Sequence, residues 1–68
     1  MNPQMNTQAA NHLLNEEAAA EMLRCKPALL RKWRRVGGGP AFYRVGRLVR
    51  YREADLLAFV EAHRVEVA

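Results

Sequence analysis

Between Arg24 and Arg52 the chain has no aspartate and no glutamate, although those 29 residues hold ten of its eleven lysines and arginines. The flanks reverse the balance, with Glu16, Glu17, Glu21, Glu53, Asp55, Glu61 and Glu66 set against the single Arg64. The formal net charge of +4 is therefore the difference between two opposed regions, and the cationic one calls for a polyanionic partner.

Other scarcities narrow the chemistry. Serine does not occur, so the commonest hydroxyl nucleophile is missing. Cys25 is the one cysteine, which excludes a disulfide within the chain and any paired-cysteine metal spacing. His12 and His63 stand near opposite ends, so a metal site would need distant parts to converge. Gly37-Gly38-Gly39-Pro40 is followed by neither a lysine nor a helical pattern, which separates it from a phosphate-binding loop. No apolar run reaches the length of a signal-peptide core or a bilayer span. The expectation is a cytoplasmic protein that is not an enzyme and takes no metal, cofactor, small-molecule ligand or membrane. With 68 residues there is room for one small domain, whose thin core should yield about 3–5 kcal/mol of stability.

Residues 1–12 read as a disordered tail, since Asn, Gln and Thr dominate and no apolar period appears. A folded domain is expected over 13–64 and a short tail over 65–68. Within the domain the punctuation is Lys26-Pro27, the glycine run ending at Pro40, and Gly46. These marks leave four pieces.

Asn15 is a good N-cap, and Glu16 and Glu17 behind it suit the positive end of a helix dipole. On that first helix Ala19, Ala20 and Leu23 share a face with Met22 at its margin, a narrow stripe of mostly small side chains. After a turn at Arg24 to Lys26, Pro27 fits the first position of a second helix, expected over Pro27–Val36. Leu29, Leu30, Trp33 and Val36 form its apolar stripe, and Ala28, Arg31, Lys32 and Arg35 lie opposite. Two short helices joined by a tight turn, the second one cationic, make a helix-turn-helix pattern.

Ala41 to Val45 and Leu48 to Arg52 are β-rich runs joined by Gly46-Arg47, a two-residue hairpin signal. That turn sets Val45 opposite Leu48 and Phe42 opposite Tyr51, places Phe42, Val49 and Tyr51 on one side, and leaves Arg47 at the tip. The last piece, Glu53 to about Arg64, starts with acids and carries Leu56, Leu57, Phe59 and Val60 at core-type spacing. The fold class that results is mainly α with a β-hairpin: helix-turn-helix, two-stranded wing and C-terminal helix.

From Leu13 to roughly Val60, about seven-tenths of the chain, the sequence resembles the small MerR-type winged helix-turn-helix domains of excisionases and AlpA-like regulators of bacteria and phages. Pro27 through Trp33, Gly39-Pro40, Phe42, Val45-Gly46-Arg47, Tyr51 and Asp55-Leu56 carry the likeness in identity and spacing. The turn departs from the pattern: Arg24 and Lys26 stand where the family often has Gly and then Ser or Thr, so the side-chain cap of the second helix is lost while two charges are gained. Leu29, in place of a small polar residue, is a second departure, able to extend the core or to meet a partner subunit.

The resemblance implies that the second helix enters the major groove of double-stranded DNA. Arg31 and Arg35 would then offer bidentate donors to guanine, Ala28 would meet a thymine methyl, and Lys32 would reach bases or phosphate. Lys26 and Arg34 are expected on phosphates, Arg47 on the backbone or the next minor groove, and Arg44 and Arg50 in support of the wing. Arg44 and Arg50 each have a competing use, an exposed ion pair with Glu53 or Asp55. Of the aromatics, Tyr43 is the one whose spacing leaves it open for stacking on an unpaired base.

Two roles fit such a protein. One is a recombination directionality factor of a prophage or other mobile element, which binds several sites beside an attachment site, bends the duplex, touches neighbouring copies of itself and directs an integrase toward excision. The other is a transcription regulator at a promoter. The lack of a sensor or dimerisation domain within 68 residues favours excision, and nucleoid association in the cytoplasm follows from either. A third reading, from another class, is a basic interaction module that docks an acidic protein.

Overall fold

A computed structural model describes residues 12–67. The segment 1–11, most of the expected tail, lies outside the described residues. Six elements follow in order: β1 (Leu13–Leu14), α1 (Glu16–Leu23), α2 (Pro27–Val36), β2 (Tyr43–Val45), β3 (Leu48–Arg52) and α3 (Glu53–Ala62). Three helices and a three-stranded antiparallel sheet of order β1-β3-β2 make a small winged helix-turn-helix.

Local chemistry explains where the helices begin and end. Asn15 is extended and its side-chain oxygen accepts from the Ala18 amide at 2.8 Å, so α1 is capped as its sequence indicates. At the other end Arg24 takes the left-handed conformation (φ 57°, ψ 44°), its amide donates to the Glu21 carbonyl and the Cys25 amide to the Ala20 carbonyl. That pair of bonds is a Schellman closure, normally completed by glycine. Pro27 opens α2 with one orphan amide fewer, and Lys26 supplies no side-chain cap, because an ammonium has no acceptor to offer the next amides. Gly37 closes α2 at φ 92°, its amide donating to the Trp33 carbonyl at 2.7 Å.

The hairpin register is the expected one: Val45 pairs with Leu48, Arg44 with Val49 and Tyr43 with Arg50. Gly46 has φ 62° while Arg47 is not in the left-handed region, which is the signature of a type II′ turn. The third strand is the addition. Leu13 and Leu14 pair with Arg52 and Tyr51, so β3 is central and the wing is one half of a sheet. A two-residue strand has no period to detect; only its pairing reveals it. The chain just before it is used as well, since the His12 carbonyl accepts from the Glu53 amide at 2.9 Å and so satisfies an orphan donor at the start of α3.

The core draws on every layer: Ala19 and Ala20 of α1, Leu30 of α2, Tyr51 of β3 and Leu56 of α3 are buried, with Leu14, Met22, Leu23, Cys25, Trp33, Phe42 and Val49 packed around them. Three expected core residues are exposed instead. Val36 is 62% exposed, and Leu57 and Val60 are about half exposed. On α2 the buried stripe centres on Leu30; at roughly 100° per residue Val36 lies about 120° away and Arg34 only about 40° away, so Arg34 takes the inward place. On α3, Leu56 is buried in the core and half-buried Phe59 packs on Trp33, while Leu57 and Val60 stay exposed among the described residues. Trp33 meets Phe59 edge-on at 5.3 Å between ring centres.

Candidate nucleic-acid interface

The recentred stripe decides which face of α2 meets solvent. Ala28, Arg31, Lys32 and Arg35 are all exposed on the side away from Leu30, a surface of one small apolar side chain among three cations. Lys26, just ahead of the helix, is exposed too. The helix that presents them is short, ten residues, and depends on tertiary packing to persist. Contact with α1 through Leu30 and the small side chains of Ala19 and Ala20 supplies it.

Arg34 is placed otherwise. Its side chain is 16% exposed, with Nη1 donating to the Tyr51 hydroxyl at 2.6 Å and Nη2 to Glu16 Oε1 at 2.7 Å. Its guanidinium also lies over the Phe42 ring at 5.9 Å. The same carboxylate takes a second arginine, since Glu16 Oε2 accepts from Arg31 Nη1. Burial acting alone would raise the Glu16 pKa, but the hydrogen bonds from Arg34 and Arg31 and their charges outweigh it and hold the carboxyl below its ordinary value. Desolvation likewise works against the charge on Arg34, and its bonds to Glu16 and Tyr51 overcome it, raising that pKa.

On the wing, Arg47 is exposed in the turn. Alternation along the paired strands puts Phe42, Arg44, Val49 and Tyr51 on the inner face of the hairpin and Tyr43, Val45, Leu48, Arg50 and Arg52 on the outer one. Arg44 and Arg50 therefore leave from opposite faces. The Arg44 guanidinium sits 5.6 Å from the Phe42 ring centre, and Arg50 Nη1 donates to the Val49 carbonyl at 2.8 Å. Among the described residues neither arginine pairs with Glu53 or Asp55. Tyr43, the candidate for base stacking, has the Arg52 guanidinium over its ring at 5.1 Å.

Two helices closed by a tight turn, a cationic outer face on the second, and a hairpin beyond it describe a DNA-binding architecture. A family model for the helix-turn-helix domain matches residues 13–64. The chain belongs to the helix-turn-helix domain family. That match runs from β1 to just beyond α3, so it covers the whole of the fold described above. No curated protein matches the chain at a significant level. Membership of the helix-turn-helix family implies a double-stranded DNA partner. No helix among the described residues is long and apolar enough to cross a membrane.

The site residues that local reading missed are Glu16 and Tyr51. Glu16 was legible as a helix-dipole partner, and Tyr51 as a core aromatic. Nothing in the spacing signals that both reach the same arginine, 18 and 17 positions away.

Proposed function

We propose that this helix-turn-helix protein is a sequence-specific, double-stranded DNA-binding factor of a mobile element that acts as an excisionase, binding adjacent sites cooperatively and bending attachment-site DNA for an integrase. The observation that carries the DNA reading is the exposed face of α2, where Ala28, Arg31, Lys32 and Arg35 stand together. Arg31 and Arg35 have the planar fork that matches guanine O6 and N7, Lys32 serves base or phosphate, and Ala28 suits a thymine methyl. Lys26 contacts phosphate beside the start of the helix. Arg47 reaches the backbone or the adjoining minor groove from the wing, with Arg44 and Arg50 stiffening the hairpin behind it. Arg34, occupied by Glu16 and Tyr51, holds the reading helix in place and makes at most a phosphate contact through its outer edge.

The excision role rests on the resemblance of the run from Leu13 to Val60 to MerR-type excisionase domains. Contact between neighbouring copies is supported by the outer face of the sheet, where Leu13, Tyr43, Val45 and Leu48 are exposed together. This reading gives the protein no catalytic role and places it in the cytoplasm on the nucleoid. The test is a mobility-shift titration and footprint on DNA flanking the protein's own gene, against a scrambled duplex. Discrete stepped complexes over repeated sites beside an integrase attachment site are expected. A single protected site over a promoter would replace excision with transcription control, and no duplex binding even at low salt would sink the DNA reading in favour of an acidic protein partner.

A further inference from the structure

We infer that Glu16 is a specificity-determining positioning residue, which clamps the Arg31 guanidinium from the inner side so that its outer edge is preset for a base. This rests on the reading of α2 as the helix that enters the major groove. Arg31 is 56% exposed while the carboxylate that holds it is 16% exposed, so the anchor lies within the fold and the arginine extends outward from it. The anchor is itself fixed. Tyr51 is buried, Arg34 donates to its hydroxyl, and the same Arg34 donates to the other Glu16 oxygen.

Charge accounting separates positioning from simple masking. Arg34 already compensates the Glu16 carboxylate across 2.7 Å, so Arg31 is not needed to neutralise it. The Glu16–Arg31–Arg34 cluster retains one net positive charge toward DNA. Among the described residues the one hydrogen bond of Arg31 goes to Glu16 and uses Nη1, while a guanidinium carries five N–H donors. The rest are available to a guanine edge. An unclamped arginine of this exposure would lose its rotamer freedom only on binding, and would as readily settle on a phosphate.

Glu16→Gln leaves one carbonyl acceptor where two arginines compete, and Arg31 is released. The expected result is a three- to tenfold fall in the ratio of affinities for specific and scrambled duplex, about the cost of immobilising one long side chain. Binding to scrambled DNA should hold or tighten, with a salt slope steeper by about one unit as Arg31 joins the phosphate contacts. In an Arg31→Ala background the same substitution should no longer change the ratio. Glu16→Asp keeps the charge beside Arg34 but draws the carboxylate back by a methylene; it should lower the ratio too, and serves if the Gln variant fails to fold.

Unchanged discrimination in a folded Gln or Asp variant, even with a lower melting temperature, would overturn the inference and leave Glu16 a structural residue. A fall in the ratio that persists without Arg31 would overturn it as well. Failure of the parent protein to discriminate the two duplexes at all would count against the sequence-specific DNA reading itself, and is seen before any variant is made.

Discussion

Arg34 donates to the Tyr51 hydroxyl at 2.6 Å and so ties α2 of the helix-turn-helix to the central strand of the sheet. Tyr51 is buried, Arg34 is mostly so, and both belong to a network that also holds Glu16. Removing the hydroxyl with Tyr51→Phe deletes one charge-assisted hydrogen bond and should lower unfolding stability by about 1–2 kcal/mol. Arg34→Ala should lower it by about 2–3 kcal/mol, because the hydroxyl and part of the Glu16 carboxylate then lose their partner. Urea unfolding checks both. A stable Arg34→Ala protein with weakened DNA binding would show instead that Arg34 acts on phosphate.

Acid should loosen the same network. The Glu16 carboxyl has a lower pKa in the folded protein than its ordinary value, so the unfolded chain binds the proton more readily. The stability this supplies is complete above the unfolded glutamate value of about 4.3, and is lost as the pH falls through the lower folded value. The raised Arg34 pKa has the opposite sign, and its contribution is lost only at strongly alkaline pH. Melting temperatures at pH 7 and pH 3 should therefore fall further for the parent than for Glu16→Gln. Parallel curves would exclude Glu16 as a source of the acid sensitivity.

Gly39 lies against Trp33 so closely that an added Cβ would stand 2.5 Å from Trp33 Cβ and 2.9 Å from its ring. Trp33 Cβ is fixed by the helix backbone, so the loop itself has to move. Gly39→Ala should cost about 1–3 kcal/mol. A comparable change at Gly37, which has open space around it but φ 92° and ψ 169°, a conformation essentially confined to glycine, should cost about 1–3 kcal/mol through backbone strain alone. A Gly39→Ala protein as stable as the parent would mean that the tryptophan contact is not what requires glycine at 39.

Arg24 holds a left-handed conformation that glycine adopts freely. Arg24→Gly should raise stability by about 1 kcal/mol while removing a cation near the turn. Thermal unfolding and DNA binding should thus move in opposite directions, with tighter folding and weaker low-salt affinity. Loss of stability would indicate that the Arg24 side chain makes a contact worth more than its backbone strain.

On α2 and the wing the expected losses differ in kind. Arg31→Ala or Arg35→Ala should remove about 1–3 kcal/mol from binding to a specific duplex and relax sequence preference. Arg47→Ala should weaken specific and scrambled DNA alike and reduce the salt slope by about one unit. Identical profiles for the three would erase the distinction between the reading helix and the wing.

Much of this fold is written locally. An asparagine cap, a proline at the first position of α2, a glycine-led two-residue turn and acids at the start of α3 each act within a few residues of themselves, and each of those boundaries follows from them. The exposed cations of α2 were legible for the same reason, since helical spacing alone sets Ala28, Arg31, Lys32 and Arg35 apart from Leu30. The limit lies in where a stripe is centred. Leu29, Leu30, Trp33 and Val36 span a third of a turn, and the wheel cannot say which edge meets a neighbour. In the fold the centre moves toward Arg34, Leu29 is left half-buried outside the core cluster, and Val36 emerges into solvent.

The amino-acid order by itself determined the helices, the hairpin register, the segregation of charge and so the kind of partner, because caps, turns and periodicity are short-range effects. Tertiary structure alone decided that Leu13 and Leu14 form a third strand, that Arg44 and Arg50 depart from opposite faces of the wing, and that Arg34 turns inward while exposed Arg31 shares its Glu16 carboxylate. Those outcomes depend on groups brought together from distant positions, where a carboxylate or hydroxyl costs least free energy when it meets the nearest cation, whatever its place in the chain.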